Sequence, residues 1–331
     1  MDCRFVQTDP ILPSIQNPLG ALPARFRRER LLIVGCGDVG QRVARQLQSG
    51  PGAGRVQVLA LTSSPERRDA LRAQGIRPLL GNLDDMATLR RLAGLATRVL
   101  HLAPPPGEGA GGDGWWRDPR TVALARVLRL RSLPTSFVYA STTGVYGDCQ
   151  GAVVPETRAV APATPRAQRR VNAERAVRHL GRAGLRASVL RIPGIYAPDR
   201  EGGTPEARLR RGTPVLAPED DVFTNHVHAE DLARACVAAL WRARPQRIYN
   251  VSDDSELKMG DYFDLAADLY GLPRPPRLPR SAAQEQLPVV LLSFMNESRR
   301  LDNRRMLGEL GVRLRYPTVA EGLRTIGPLL G

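Results

Sequence analysis

Residues 31–44 read LLIVGCGDVGQRVA, in which four apolar residues run directly into the pattern Gly-x-Gly-x-x-Gly. The apolar run predicts a buried parallel strand, and the amphipathic spacing after it predicts a helix. In this pattern Gly35 permits a sharp turn, Gly37 lets phosphates approach the backbone, and Gly40 lets helix and strand pack closely. The N–H groups at the helix start attract anions. The stretch therefore predicts a dinucleotide pyrophosphate site rather than a glycine-rich turn of purely structural use.

The length and composition exclude several classes of protein. The 331 residues can form one large α/β domain with a smaller lobe, and 42% of them are hydrophobic. No apolar run reaches the length of a membrane span, so we expect a soluble protein without a membrane partner. Residues 1–29 mix prolines with arginines and have no apolar core, which predicts a flexible N-terminal extension rather than a secretory signal.

The cysteines and the charge balance restrict the setting and the partners. The four cysteines show neither metal-ligand spacing nor a Cys-x-x-Cys pair, so we expect a cytoplasmic protein without a metal site. The net charge is +15, and Lys258 is the single lysine. The arginines are spread through every predicted helix without interleaved aromatic residues, which favours solvated helix faces over a nucleic-acid surface.

Strand and helix patterns alternate through the first two thirds of the chain. The strand patterns lie at residues 56–61, 77–80, 98–102, 136–140 and 187–191. The helix patterns lie at residues 65–74, with Ser64 as the cap, and at 119–130 and 167–182. Later patterns predict helices at 229–242, 259–270, 302–310 and 318–326, and a strand at 247–251. Such alternation requires a parallel sheet with helices on both faces.

The predicted fold class is therefore α/β, with a Rossmann-type, doubly wound parallel sheet and a smaller C-terminal substrate lobe. Residues 30–193 form the predicted NAD(P)-binding domain. Residues 194–331 form mostly the substrate-side lobe, with some segments returning to the sheet. The glycine-rich stretch 107–117 ends near two tryptophans and suits a lid over the site.

Five segments together resemble the extended short-chain dehydrogenase/reductase superfamily, of the NAD-dependent nucleotide-sugar epimerase/dehydratase type. The segments are GCGDVG at 35–40, GNLDD at 81–85, YASTTGVYG at 139–147, LRIPGIY at 190–196 and NHVHAEDLA at 225–233. The resemblance implies that Asn82 and Leu83 lie beside the adenine and that Ala103 and Pro104 pass under the cofactor. It also implies that the turn at Pro193 and Gly194 lies near the nicotinamide carboxamide.

The end of the second strand bears on which nicotinamide cofactor binds. An acidic residue there would bond the ribose 2′-hydroxyl and favour NAD, but Thr62 occupies this end, followed by Ser63 and Ser64. With Arg67 and Arg68 close behind, the segment suits a 2′-phosphate and favours NADP over NAD. The predicted cofactor-binding residues are Gly35, Gly37, Asp38, Val39, Gly40, Thr62, Arg67, Asn82, Leu83, Ala103, Pro104, Pro193 and Gly194.

The catalytic pattern that the resemblance implies is incomplete. Catalytic members use a Ser or Thr with Tyr-x-x-x-Lys, in which the tyrosine moves a proton and the lysine lowers the tyrosine pKa. Thr142 matches the hydroxyl residue, whereas Arg166 stands at the tyrosine position and Arg170 at the lysine position. Arginine stays protonated, so Arg166 cannot be a general base. The pattern resembles that of atypical members of the superfamily, which lack the Tyr-x-x-x-Lys pair.

Substitute roles follow for these residues. Arg170 can hold a ribose hydroxyl or a phosphate, and Arg166 can bind an anionic substrate. His101, Tyr196 and His226 are the candidates to replace the missing proton donor, although each also fits a structural role. The acidic residues that a sugar dehydratase needs after the threonine are absent, which disfavours dehydration.

Three functions remain open from the sequence. The first is an NAD(P)-binding oxidoreductase or epimerase-like enzyme for a small substrate, such as a sugar or a nucleotide sugar, with a non-standard proton donor. The second is a non-catalytic dinucleotide-binding sensor or partner-binding module, and the third is nucleic-acid binding through arginine. The resemblance also implies a homodimer that pairs through the helices at 119–130 and 167–182.

Overall fold

A computed structural model of the chain describes residues 29–50, 53–107 and 114–324. The extension predicted for residues 1–29 lies outside this part except for Glu29. Most of the glycine-rich stretch, residues 108–113, and the end of the last predicted helix also lie outside it. None of the described helices is both long and apolar enough to cross a membrane.

Strands and helices alternate along the described chain. In chain order the strands are β1 Glu29–Val34, β2 Val56–Thr62, β3 Arg77–Leu80, β4 Arg98–His101, β5 Ser136–Thr142, β6 Val153–Val154, β7 Arg186–Ile192, β8 Gly194–Tyr196, β9 Val215–Leu216, β10 Phe223–Thr224, β11 His226–His228, β12 Arg247–Asn250, β13 Leu257–Lys258, β14 Arg277–Leu278 and β15 Arg300–Leu301. The helices are α1 Asp38–Ser49, α2 Arg67–Ala73, α3 Met86–Leu89, α4 Pro119–Leu128, α5 Pro165–Gly181, α6 Glu206–Arg210, α7 Ala229–Arg242, α8 Met259–Tyr270, α9 Arg280–Gln286, α10 Val289–Met295, α11 Arg304–Glu309 and α12 Val319–Arg324.

Seven strands form one parallel sheet in the order β12-β7-β5-β4-β1-β2-β3. The order reverses between β1 and β4, where Val34 pairs with His101. In a doubly wound sheet a ligand binds at this reversal, beyond the carboxyl ends of the strands. The predicted Rossmann-type, doubly wound fold is confirmed.

Helices cover both faces of the sheet, and the apolar run of β1 shows why. Leu31 and Ile33 join one apolar cluster with residues of α1 and α7, whereas Leu32 and Val34 join a second cluster with residues of α4 and α5. Because successive side chains of a strand point to opposite faces, a strand that is covered twice needs an unbroken apolar run.

Part of the C-terminal third returns to the sheet. β12 pairs with β7 at the sheet edge, α7 packs against α1, and α11 packs on β12. A third apolar cluster unites α6, α8, α9, α12 and β9, which we call the outer lobe. Four short strand pairs (β8–β11, β9–β14, β10–β13 and β6–β15) brace these segments.

Some helix boundaries differ from the sequence prediction, and local hydrogen bonds explain the differences. The prediction that Ser64 caps a helix from residue 65 is wrong, because α2 begins at Arg67. The Thr62 hydroxyl accepts from Ser64 N (3.2 Å), and Ser64 O accepts from Arg67 N (3.3 Å), which holds the segment in a turn. Similarly, α11 begins at Arg304 rather than 302, since the Asp302 carboxylate accepts from Arg304 N (3.0 Å).

Candidate functional site

The glycines of the turn between β1 and α1 meet three different spatial demands. Gly35 has a φ of +87°, and a Cβ there would lie 2.5 Å from Ala103 N, so only glycine fits. At Gly40 a Cβ would lie 3.2 Å from Ile33 Cγ2, which reflects the close approach of α1 to β1. A Cβ at Gly37 would meet no atom within 4 Å. The turn therefore leaves open space at its second glycine.

The start of α1 faces this open space with unused donors. The first bond of the helix runs from Gln41 N to Gly37 O (3.0 Å). The backbone N–H groups of Asp38, Val39 and Gly40 have no acceptor among the described residues. Together with the partial positive charge of a helix start, these three groups can bind an anion.

The Asp38 side chain takes part in a different contact. Arg42, which is only 2% exposed, donates from Nε to both carboxylate oxygens of Asp38 at 3.1 Å. Arg42 also bonds Glu230 at the start of α7 and Asp199 (2.8 Å). The prediction that Asp38 belongs to the cofactor site therefore rests on its backbone N–H, since its carboxylate ties α1 to the C-terminal part of the chain. Sequence reasoning missed this role of Arg42, because two of its three acidic partners, Asp199 and Glu230, are far away in the chain.

The residues that follow β2 lie beside the glycine turn. Arg67 Nη2 donates to Cys36 O (2.7 Å), which joins the start of α2 to the turn. Thr62 is buried at the end of β2, with its hydroxyl in the bond from Ser64 N, and Arg68 is exposed. The structure thus brings Thr62 and Arg67 to the same edge as the three free N–H groups, without an acidic residue at the strand end.

The loops after β3 and β4 are tied together at this edge. Asn82 Oδ1 accepts from Asp84 N (3.0 Å), and Leu83 is half-buried against the cluster of α4 and α5. Arg120 holds the Asp84 carboxylate through two bonds of 2.8 and 2.6 Å and lowers the pKa of Asp84. Arg120 also donates to Pro104 O (3.3 Å). This link joins the Asn82 segment to the Ala103–Pro104 segment, and sequence reasoning did not find it.

Thr142 lies at the carboxyl end of β5. Its hydroxyl accepts from Gly144 N (3.3 Å) and caps the short turn that follows. The β5–β7 pairing places Thr142 opposite Ile192, immediately before Pro193 and Gly194. Two of the predicted segments, one catalytic and one for the nicotinamide end, are therefore neighbours in space.

The two arginines of the incomplete pattern lie one turn apart at the start of α5. Arg170 is buried, and its Nη1 donates to Ala140 O (2.6 Å) and to the Tyr139 hydroxyl (3.1 Å). Arg166 is exposed, and its side chain has no hydrogen bond or ion pair with any described residue. Partial burial of the guanidinium and the nearby charge of Arg170 lower the pKa of Arg166, although it remains a cation.

Between them, Arg169 anchors the ends of the glycine-rich stretch. Its Nη1 donates to Pro106 O (2.6 Å) and Gly107 O (3.2 Å), and its Nε donates to Trp115 O (2.7 Å). The buried guanidinium of Arg169 thus donates to three backbone carbonyls. Sequence reasoning missed this role, because carbonyl acceptors carry no side-chain signature.

The three candidates for a substitute proton donor are all buried in structural contacts. His101 Nε2 bonds the Thr121 hydroxyl (2.9 Å), and burial lowers the pKa of His101 to about 3. Tyr196 donates to Thr318 O (3.2 Å), and burial raises its pKa far above the usual range. His226 stacks on a tyrosine ring of the outer lobe, and burial lowers its pKa to about 4. None of these groups titrates near neutral pH.

A buried polar network lies beneath Thr142. The Glu174 carboxylate of α5 accepts from the Ser141 hydroxyl (2.6 Å) and from Arg191 Nη2 of β7 (2.7 Å). Arg191 lies over the Tyr146 ring at 4.6 Å, and the Tyr146 hydroxyl donates to Asn250 Oδ1 (2.7 Å). Tyr146 thus has a structural role in this network, which fixes α5 and β7 around the end of β5.

Among the described residues, no three side chains of His, Cys, Asp or Glu lie close enough together to hold a metal ion. The donors at this edge are instead backbone N–H groups, hydroxyls and arginines, which suit an anionic organic ligand such as a dinucleotide.

The chain is similar along most of its length to known proteins. It is 26% identical over 294 residues to Protein YeeZ of Escherichia coli K12, which covers 87% of this chain and 97% of that protein. A functionally unknown conserved protein from Silicibacter pomeroyi has 30% identity and a TM-score of 0.67, over 90% of this chain and 97% of that one. The UDP-glucose 4-epimerase of Thermus thermophilus, in its complex with NAD, has 21% identity and a TM-score of 0.69, over 89% and 96%.

The family comparison covers the whole region built around the sheet reversal. The model of the NAD dependent epimerase/dehydratase family matches residues 31–252, from the apolar run of the glycine-turn strand to the segment after β12. This range contains every residue that the sequence assigned to the cofactor and to catalysis. The chain belongs to the NAD-dependent epimerase/dehydratase family.

Proposed function

We propose that this protein binds a nicotinamide dinucleotide and acts as an oxidoreductase or epimerase-like enzyme on a small substrate, such as a sugar or a nucleotide sugar. The observation that carries the proposal is the start of α1, where three N–H groups without an acceptor in the described part of the chain face open space at the sheet reversal. Family membership supports it, as does the similar fold of the Thermus thermophilus epimerase, which was solved with NAD.

The residues around the turn have distinct roles in this proposal. The backbone N–H groups of Asp38, Val39 and Gly40 bind the pyrophosphate, and Asn82 and Leu83 border the adenine. A bound nicotinamide would accept or donate a hydride. The Thr142 hydroxyl orients the substrate. Arg166 stands where catalytic relatives have a tyrosine, and it cannot take up a proton. In this proposal another group of the protein therefore transfers the proton.

The finer proposal is that NADP binds more tightly than NAD. Arg67 uses Nη2 for Cys36 O, and neither Arg67 nor the exposed Arg68 forms an ion pair with a described residue. With the Thr62 end of β2 free of acids, these cations favour a 2′-phosphate. Several of the similar structures are complexes with NAD instead, so the comparison of the two cofactors is part of the test.

The test is calorimetric titration of the full chain with NADPH and with NADH. Gly37→Arg is expected to abolish binding of both without unfolding the protein, because the space at Gly37 is open. Gly308→Arg in α11, another position where a Cβ meets nothing, is the matched control and should bind like the original protein. Absence of binding by either cofactor, or binding that survives Gly37→Arg, would contradict the proposal.

A second candidate function is a dinucleotide-binding sensor without catalysis. It is favoured by the loss of the tyrosine at Arg166 and by the structural contacts that occupy His101, Tyr196 and His226. The two candidates differ in turnover. A panel of sugars and nucleotide sugars, followed through nicotinamide absorbance and through the sugar products, would show turnover only for the enzyme.

The assembly that we propose is a homodimer. α4 and α5 pack side by side on one face of the sheet, where a second copy can pair with them. Sedimentation of the purified chain tests this state, and a monomer at all concentrations would contradict it.

A further inference from the structure

The buried arginines of this protein differ in what neutralises them. Arg42 and Arg98 bond carboxylates of Asp38 and Glu29, and Arg191 bonds Glu174. A buried guanidinium is costly unless it is paired and fully hydrogen-bonded. Pairing with a carboxylate is therefore what the fold provides for these three cations.

Arg170 lacks such a partner among the described residues. Only its Nη1 has acceptors there, and both are neutral: Ala140 O and the Tyr139 hydroxyl. Its Nε is buried without an acceptor, and its Nη2 bonds no described residue yet is not among the enclosed atoms, so it keeps contact with solvent. The side chain is only 7% exposed. Arg170 thus presents an unsatisfied charged edge toward the accessible side of the site.

The nearest acids do not fill this gap. Glu174, one turn further along α5, is taken by Arg191 and Ser141. The Asp118 carboxylate lies close enough to feel the charge of Arg170, but it accepts from the Thr121 hydroxyl (2.7 Å) and caps α4. Neither acid forms a hydrogen bond or an ion pair with Arg170.

Arg166 adds a second unpaired cation one turn earlier. Its side chain bonds no described residue, and the two guanidinium groups repel each other, which contributes to its lowered pKa. Both lie in the first turns of a helix of 17 residues, whose positive end adds to the same potential. Two like charges without a counter-charge among the described residues destabilise the fold, and a bound anion would remove this repulsion.

We propose that Arg166 and Arg170 bind an oxyanion group, a carboxylate or a phosphate, on the substrate. The proposal deepens the proposed function and rests on it, because it assigns the positions of the tyrosine and lysine of catalytic relatives to substrate binding. The substrate is therefore an anion near its reacting end. Planar guanidinium groups suit both oxyanions, since each can take two parallel hydrogen bonds.

The experiment titrates the full chain with inorganic phosphate and, separately, with malonate, at constant ionic strength and with or without saturating NADPH. Arg166→Gln should weaken binding of the preferred anion about tenfold, as loss of one charge-assisted hydrogen bond would. Arg166→Lys, which keeps the charge, should retain more of the affinity than Arg166→Gln. Arg175→Gln is the matched control, an exposed arginine on the same helix, and should leave binding unchanged. The stronger of the two anions identifies the group as a phosphate or a carboxylate.

Three results would overturn the inference. The first is binding of neither anion, and the second is equal binding by Arg166→Gln and the original protein. The third is anion binding that Arg166→Gln weakens but that saturating NADPH also abolishes, which would assign the arginines to the cofactor. Failure of the proposed function is separate, since it would appear as a lack of NADPH and NADH binding in the absence of any added anion.

Discussion

The turn between β1 and α1 and the start of α5 both lie at the carboxyl edge of the sheet, and both contain the start of a helix. They differ in how far their residues keep the pattern of catalytic relatives. At the turn, residue type and geometry agree, because Gly35, Gly37 and Gly40 each meet a spatial demand of the backbone. At α5 the geometry is kept, with Thr164 capping the helix beside β5, while arginines replace the tyrosine and lysine of catalytic relatives. The fold therefore depends on the first region strictly and tolerates new chemistry in the second.

We expect the largest effect from removing the buried ion pair that joins α5 to β7. Glu174→Gln leaves Arg191 as a buried cation without its counter-charge, and we expect a loss of about 3–5 kcal/mol in the free energy of unfolding. Urea denaturation measures it. The control is Glu206→Gln, which removes the exposed partner of Arg210 and should cost less than about 1 kcal/mol. Equal effects of the two variants would mean that α5 does not depend on this ion pair.

The next effect separates the roles of the two glycines in the turn. Gly35→Ala forces a side chain into a positive φ and against Ala103 N, so we expect a loss of about 2–3 kcal/mol in unfolding free energy. Gly37→Ala meets open space and should leave stability within about 0.5 kcal/mol while weakening dinucleotide binding. Denaturation and NADPH titration of both variants make the comparison. A stable Gly35→Ala variant would show that the turn can shift away from Ala103.

The same contrast explains what the sequence could and could not predict. The unbroken apolar run of residues 31–34 specifies a strand that is covered on both faces, and the glycines specify the turn, so the sheet and its reversal were predictable. The Thr142–Pro193 neighbourhood followed from the parallel order of β5 and β7. The helix predicted at 167–182 is α5, which begins two residues earlier, at Pro165, because the Thr164 side chain caps it there.

Contacts that depend on tertiary placement were not predictable. Arg42 gathers Asp199 and Glu230 from more than 150 residues away, and Arg169 binds carbonyls, which every residue carries. The isolated charge of Arg170 is likewise visible only once Glu174 is seen to bond Arg191. An arginine in a sequence has no signature of whether its partner is an acid, a carbonyl or a missing ligand.

The smallest effect concerns His226, one of the groups considered as a replacement proton donor. Burial lowers its pKa to about 4, whereas an unfolded histidine titrates near 6.5. The unfolded state therefore binds more protons between these values, and stability falls as the pH drops below about 6.5. We expect about 1–2 kcal/mol of this loss between pH 6.5 and 5 to come from His226.

His226→Phe keeps the ring stack on Tyr262 and removes the titration, so its stability should fall less steeply over the same range. Urea denaturation at pH 6.5 and 5 measures the difference between the variant and the original protein. Identical slopes for the two proteins, or an NMR titration of His226 near pH 6.5, would return this histidine to the group of possible proton donors. A less steep fall of stability with pH in the variant would show that His226 is a buried neutral group and not a proton donor. It would strengthen the assignment of Arg166 to substrate binding.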